Sequence, residues 1–251
     1  MLDFRTIVLS QTNSYLLKLK YGFLLIDCGN VRDKDSFLKI LGSLGTTLKD
    51  IRYLFLTHHH NDHCGLMKYL TSENPSVQVI MSRKCAEYME TGIHFKHNSE
   101  KYSNSALRMI VGTYSKFCKN WSDKFTPYYR REHDIIIERD DDNTLPQLGI
   151  DGKIILTPGH TEDSISLIAG YNAFVGDAAR NMLNFTGMPY YPILYYDAEK
   201  CRECWRKLAE SGVKTIFPAH GRPFNIGKLM PLINKEIINK QKPGRQWNVL
   251  L

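Results

Sequence analysis

The chain contains no run of about 18 consecutive apolar residues, so nothing in it reads as a membrane-spanning helix. Its first residues, Met1-Leu2-Asp3-Phe4-Arg5, are not a basic segment leading into a long apolar stretch, and no secretory signal is expected. The six cysteines, at positions 28, 64, 85, 118, 201 and 204, are therefore expected to be reduced thiols, and cytoplasmic residence follows as an expectation. Cys201 and Cys204 form a C-x-x-C pair, yet no second pair completes a tetrahedral sulfur site. They fall in a helical pattern opening at Asp197, where they read as small buried residues one turn apart. A G-x-S-x-G elbow is absent, so a serine nucleophile is not indicated. No basic helix or aromatic-basic module is present, and the net charge of +7 is dispersed, with Arg130-Arg131 offset by Asp140-Asp141-Asp142. Nucleic acid is not an expected partner; the charge suits either an anionic small-molecule substrate or a solvated basic surface. No short repeat or low-complexity linker divides the 251 residues, of which 43% are hydrophobic, and a single domain over 1–251 is expected.

What is present is concentrated. Five side chains able to bind a metal lie within six residues of Thr57-His58-His59-His60-Asn61-Asp62-His63. Before them, Ile51-Arg52-Tyr53-Leu54-Phe55-Leu56 reads as a buried strand, which delivers the run to its C-terminal edge. In open α/β sheets that edge collects ligands. Neutral imidazole is the commonest protein ligand for a divalent metal. His58 and His60 are two apart, so in an extended chain both face the same side and suit one metal. His59 faces the other way. Asp62 and His63 fall where the chain turns into the next helix and could reach a second metal. Cys64 follows directly, either near the metals or in packing.

Three later apolar strands also stop on a polar residue. Lys153-Ile154-Ile155-Leu156-Thr157-Pro158-Gly159 ends on His160, Asn172-Ala173-Phe174-Val175-Gly176 on Asp177, and Val213-Lys214-Thr215-Ile216-Phe217-Pro218-Ala219 on His220. Proline and glycine before them fix tight turns and permit close backbone approach. Singly, the histidines read as loop residues and Asp177 as a helix N-cap; four strand ends with the same chemistry point to one site.

The set H-x-H-x-D-H, then T-P-G-H-T, then G-D, then P-A-H-G resembles the metallo-β-lactamase superfamily, from Asn13-Ser14-Tyr15-Leu16 through Gly221. The resemblance implies an α/β fold, the four-layer αββα sandwich. It also implies a dinuclear centre, with His58, His60 and His160 on one metal, Asp62, His63 and His220 on the other, and Asp177 bridging. Asp27, in Ile26-Asp27-Cys28-Gly29, matches the family's supporting carboxylate; a plain turn residue before Gly29 is the competing reading. Two cations a few ångströms apart need an anion between them, which Asp177 and a hydroxide can supply. Bound metal lowers the pKa of water to about 7, and the resulting hydroxide attacks a carbonyl or phosphorus. Asp62 is the expected catalytic carboxylate, orienting the nucleophile. Nitrogen and carboxylate donors suit zinc, with manganese or iron as alternatives.

The coarse order is strands at about 5–10, 14–19 and 22–27, a helix near 34–44, the histidine strand, another strand at 77–81 and a final helix near 227–240. The interval from His63 to His160 is long and aromatic, and Leu107, Ile110, Val111, Tyr114, Phe117 or Cys118, and Trp121 recur at helical spacing. It reads as a helical cap inserted at about 83–148, serving as a lid, as packing or as a homodimer contact. His94, His97 and His133 within it read as structural or surface residues. Beyond Asp177, Arg180 is a candidate for an anionic substrate, with a surface salt bridge as the alternative. Tyr190, in the patch Met188–Tyr196, is a candidate donor to substrate.

Thr-His-His-His-Asn-Asp-His is most similar to glyoxalase II, a glutathione thioesterase, but only 31 residues follow His220, too few for that family's C-terminal helical domain. Acyl-homoserine lactonases are similar in ligand set, with tyrosine where this chain has Arg180. True β-lactamases lack the bridging aspartate. The expectation is a dinuclear metal-dependent hydrolase of a small ester, thioester or lactone, using a metal-bridging hydroxide. The alternatives are a mononuclear non-haem iron enzyme resembling sulfur dioxygenases, and a non-catalytic binding protein on the same scaffold.

Overall fold

The computed structural model describes residues 2–117 and 124–234. The first half runs β1 (Phe4–Val8), β2 (Asn13–Lys18), β3 (Phe23–Ile26), α1 (Lys34–Ser43), β4 (Ile51–Phe55), α2 (Asn61–Cys64), α3 (Met67–Glu73), β5 (Gln78–Ser82), α4 (Arg83–Thr91), β6 (Lys101–Tyr102), α5 (Ser105–Phe117), β7 (Ile135–Ile137) and α6 (Thr144–Gln147). The second runs β8 (Gly152–Leu156), β9 (Ile165–Ala169), β10 (Asn172–Gly176), β11 (Leu194–Tyr195), α7 (Ala198–Glu210), β12 (Thr215–Pro218) and β13 (Phe224–Asn225). One sheet has the order β1-β2-β3-β4-β5-β7 and the other β13-β12-β10-β9-β8.

Three apolar layers hold these sheets, and the two-residue period of a strand sorts side chains among them. Leu16, Leu25, Leu54 and Val79 face out to α1, α3 and α4, meeting Phe37, Leu41, Met67, Leu70 and Met89. Their neighbours Leu17, Leu24, Phe55 and Ile80 face in, against Ile154, Leu167 and Phe174 of the second sheet. On the far side, Ile155, Ile168, Ala173 and Val175 pack beneath Cys201, Trp205 and Leu208 of α7. Near-continuous apolar strands are what a sheet covered on both faces requires. The result is the helix–sheet–sheet–helix order of an αββα sandwich. Phe174 is edge-on to Phe4 at 5.2 Å and stacked on Phe217 at 5.1 Å, which fills the gap between sheets with large rings.

Local chemistry agrees with this packing. Asp197 caps α7, its side chain accepting from the backbone N–H groups of Glu199 and Lys200 at 2.9 and 3.1 Å. Cys201 and Cys204 are buried free thiols on that helix.

The segment expected as a helical cap, 83–148, is divided between two tasks. α4 belongs to the outer helix layer through Cys85, Ala86 and Met89, and β7 extends the first sheet beside β5. Only the stretch around β6 and α5 stands over the sheet edge, where β6 pairs with β11. Cys118 and Trp121 of the helical stripe lie outside the described residues, as does the 227–240 helix beyond residue 234. No helix among the described residues is long and apolar enough to cross a membrane.

Candidate metal centre

The residues after β4, β8, β10 and β12 meet at one edge of the sandwich. Direct backbone bonds pin that edge: Ile165 N donates to Thr57 O at 2.9 Å, and Asn13 N to Ala219 O at 2.8 Å. Two glycines allow the approach. Gly176 takes φ +52°, and a Cβ there would sit 2.4 Å from Thr57 Oγ1. Gly159, at φ +140°, would bring a Cβ within 2.6 Å of Cys201 Sγ. Trp205 donates its indole N–H to Ala178 O at 2.8 Å, tying the loop after Asp177 to α7.

Two trios of side chains face each other. His160 Nε2 lies 3.2 Å from His58 Nε2 and 3.1 Å from His60 Nδ1. His220 Nε2 lies 3.3 Å from Asp62 Oδ2, and His63 Nε2 lies 4.0 Å from Asp62 Oδ1. Asp177 stands between them: its Oδ2 is 3.3 Å from His220 Nε2 and 3.5 Å from His160 Nε2, and its Oδ1 is 3.5 Å from His63 Nε2. Within each trio the ligating atoms all lie within 4.8 Å of one another.

The outer nitrogens fix which atoms point inward. His160 Nδ1 donates to Leu194 O at 2.7 Å and His220 Nδ1 to Gln11 O at 2.9 Å. His63 Nδ1 donates to Asp27 Oδ2 at 2.7 Å. Thr57 Oγ1 donates to Asp27 Oδ2 at 2.8 Å and so accepts from His58 Nδ1 at 3.0 Å. These tautomers, assigned from the hydrogen-bond network, leave bare acceptor nitrogens converging with carboxylates. His63 Nε2 and Asp177 Oδ1 are buried and have no hydrogen-bond partner. Facing acceptors repel unless a cation lies between them. Nitrogens sharing a tetrahedral ion at ~2.0–2.1 Å stand about 3.3 Å apart, close to the spacing of the first trio. The residues present therefore fit divalent metal.

Electrostatics divides the cluster. Burial and neighbouring imidazoles hold His58 and His60 well below the ordinary histidine range, and burial lowers His160, so the first trio is neutral. Burial also opposes charge on His63 and His220, but carboxylates outweigh it. Asp27, Asp62 and Asp177 push His63 up to about 9, and Asp177 with Asp62 raises His220 well above its usual value. Burial works against ionised Asp62 and Asp177 as well, yet the facing histidines hold both carboxyls low. The second half thus demands positive charge, which a divalent ion supplies.

The centre floors a cavity of about 450 Å³, in the size range of small-molecule sites. Ile110, Val111 and Tyr114 of α5 line it, so the helical stripe read from sequence faces the centre. Arg180 and Tyr190, the sequence candidates for substrate contact, are not among its lining residues. Arg180 is buried, its guanidinium donating to the carbonyls of Met182 and Met188, and burial lowers its pKa to about 10 against the opposing charge of Asp177. Tyr190 packs on Phe224 with ring centroids 4.7 Å apart.

Three residues of consequence escaped sequence reasoning. His94 lines the cavity with its ring 3.8 Å from that of His60; histidine six residues before Glu100 carries no signal of such a position. Asp163 holds His59, accepting from its backbone N–H at 2.8 Å and its Nδ1 at 3.0 Å. Its place three residues past His160, on the same loop, was the available hint. Arg32 reaches the cavity from the turn after β3.

This arrangement, on this fold, defines a cluster fit to bind divalent metal. The family model described as the metallo-β-lactamase superfamily matches residues 7–220, and the chain belongs to that superfamily. It is 24% identical over 197 residues to a metallo-β-lactamase fold-containing protein of Sulfurisphaera tokodaii, covering 78% of this chain and 69% of that one. It is 24% identical over 242 residues to a β-lactamase-like protein 2 homolog of Caenorhabditis elegans, covering 95% of this chain but only 64% of the longer relative. Among solved structures, a metallo-β-lactamase family protein of Thermus thermophilus superposes with TM-score 0.64 at 15% identity, covering 95% and 80% of the two chains. A subclass B3 metallo-β-lactamase of Bradyrhizobium japonicum gives 0.63 at 18%, covering 96% and 91%. These structural likenesses speak for the fold.

Proposed function

We propose that the protein is a dinuclear metal-dependent hydrolase of a small ester, thioester or lactone. The observation that carries this reading is Asp177 standing between the two trios, within 3.5 Å of His63, His160 and His220. His58, His60 and His160 would hold one divalent ion, Asp62, His63 and His220 the other, with Asp177 shared; zinc is the first choice, manganese or iron the alternatives. When bound, such ions supply a hydroxide at neutral pH and a Lewis acid for the carbonyl. The chain's own part is orientation. Asp27 and Thr57 fix the rings of His63 and His58, Leu194 and Gln11 carbonyls fix His160 and His220, and Asp62 directs the attacking oxygen. Ile110, Val111 and Tyr114 of α5 supply part of the wall of the cavity that contains the centre.

The test is elemental analysis of protein purified without added metal, joined to ester, thioester and lactone turnover. Two ions per chain and hydrolysis are expected, with a lower Tm after chelation that returns on adding zinc. His60→Ala and Asp62→Ala abolish hydrolysis while the circular dichroism spectrum is retained. One iron per chain with oxygen consumption would replace this reading with the dioxygenase one. Absence of both metal and turnover would leave a binding protein.

A further inference from the structure

The wall of the cavity is divided by chemistry. On one side stand Ser10, Gln11, Asn30, Arg32 and Asn61, all polar and all from the first sixty-one residues. Toward the other stand Ile110 and Val111 of α5 with Ile193 and Leu194, joined by the rings of Tyr102 and Tyr114, while the apolar Met182 and Leu183 follow Asn181, whose N–H donates to His220 O at 2.8 Å. Hydrogen bonds register these linings to the trios. Thr12 Oγ1 donates to Asp62 O at 3.0 Å, and Gln11 O accepts from His220, so the polar wall adjoins the Asp62/His63/His220 side. Leu194 O accepts from His160, so the Ile193-Leu194 part of the apolar lining adjoins the His58/His60/His160 side.

Among the described residues, Arg32 is the only arginine or lysine lining this cavity, and it makes no ion pair among them. Its turn is built. Asp33 is buried, and its carboxylate accepts from Ser10 N at 3.2 Å and Asn30 N at 3.0 Å, while Asn30 Oδ1 accepts from Arg32 N at 3.2 Å. Those bonds occupy the acid that follows Arg32 in the chain and hold the two polar loops together, so the Arg32 side chain, exposed at the cavity, can meet an anion. A planar guanidinium is well matched to a carboxylate or phosphate.

We infer that the substrate is an amphiphile: an acyl compound with an extended apolar acyl group beneath α5, over the His58/His60/His160 side, and an anionic group on its leaving side against Arg32. This rests on the hydrolase reading and adds to it both a substrate class and an orientation. The scissile carbonyl lies between the walls, over Asp177. Hydrolysis then adds the elements of water across the acyl bond, releasing a carboxylic acid toward the apolar wall and an anionic alcohol or thiol toward Arg32.

The experiment uses three unreactive probes on the zinc-loaded full chain, with binding read by calorimetry: N-decanoylglycine, its neutral amide N-decanoylglycinamide, and the short-chain N-butanoylglycine. N-decanoylglycine is expected to bind at least tenfold more tightly than either of the others. Arg32→Glu removes the preference for the carboxylate, Arg32→Lys keeps part of it, and N-decanoylglycinamide binding stays within about twofold in both. Ile110→Asn weakens both decanoyl probes alike. A carboxylate preference that survives Arg32→Glu would assign the anion to the metals and overturn the inference, as would equal binding of decanoyl and butanoyl chains. Because these readouts need no turnover, the two readings separate. The binding pattern without any ester hydrolysis would reject the hydrolase alone, and hydrolysis without the pattern would reject the amphiphile alone.

Discussion

Asp27 Oδ2 lies 2.7 Å from His63 Nδ1, and the same carboxylate accepts from Thr57 N and Thr57 Oγ1 at 2.8 Å each. A residue outside both trios therefore sets the ring of His63 directly and that of His58 through Thr57. It does so from a left-handed backbone, φ 54°, which non-glycine residues rarely adopt. Of the two sequence readings, turn residue or supporting carboxylate, the geometry contains both: the turn is what aims the carboxylate.

Asp27→Asn tests this without disturbing the turn, because asparagine tolerates the left-handed region. The amide has one acceptor oxygen where the carboxylate has two, so three donors compete for it. Metal affinity is expected to fall by about 10–100-fold, chiefly at the His63 side. Competition with a chromophoric chelator measures it. Affinity equal to wild type at both sites would remove Asp27 from the account.

Asp163 and His59 make a second pair, with both side chains fully buried. His59 also accepts from Phe95 N through its Nε2 at 3.0 Å, so one imidazole joins the ligand loop to the segment that carries His94. Asp163→Ala leaves the His59 ring nitrogen and backbone N–H buried without acceptors. The expected loss is on the order of 3 kcal/mol, a Tm drop of roughly 6–12 °C for a chain of this size. Thermal unfolding of the zinc-saturated variant checks it; a change under about 1 °C would show that the loop does not depend on this pair.

Much of the site was legible because its chemistry is local. His58, His160, Asp177 and His220 each lie within four residues of the end of an apolar strand, and a strand's end needs no tertiary knowledge to find. The strands were legible for the same reason: Leu16-Leu17 and Leu24-Leu25 alternate between layers and declare burial on both faces. Contacts between remote segments were not legible. His59 and Asp163 are 104 residues apart, and only the docking of β9 against the histidine loop joins them. β7 is three isoleucines after Asp134, too short for periodicity, so its place in the first sheet stayed hidden inside the supposed cap. Arg180 misled because sequence proximity to Asp177 says nothing of direction, and its guanidinium turns to the carbonyls of its own loop.

Asp134 gives a pH prediction away from the metal centre. Burial alone would raise its carboxyl, but hydrogen bonds from the Tyr128 hydroxyl, Arg131 N and Val79 N outweigh it and leave the pKa below the ordinary value. A carboxyl whose folded pKa lies below its unfolded value, about 3.9, contributes stability that is present above that pH. The contribution is lost as pH falls through the folded value. Asp134→Asn removes it, so the variant is expected to be less stable than wild type by about 1.5–3 kcal/mol near neutral pH. The Tm gap between the two proteins should hold constant down to about pH 5 and shrink below about pH 4, as the wild-type carboxylate takes up its proton. Metal loss in acid affects both proteins alike, so the difference isolates Asp134. A gap at pH 2.5 as wide as that at pH 7 would mean that neutral packing, and not the charge of this carboxylate, holds Tyr128 and Arg131 against β5.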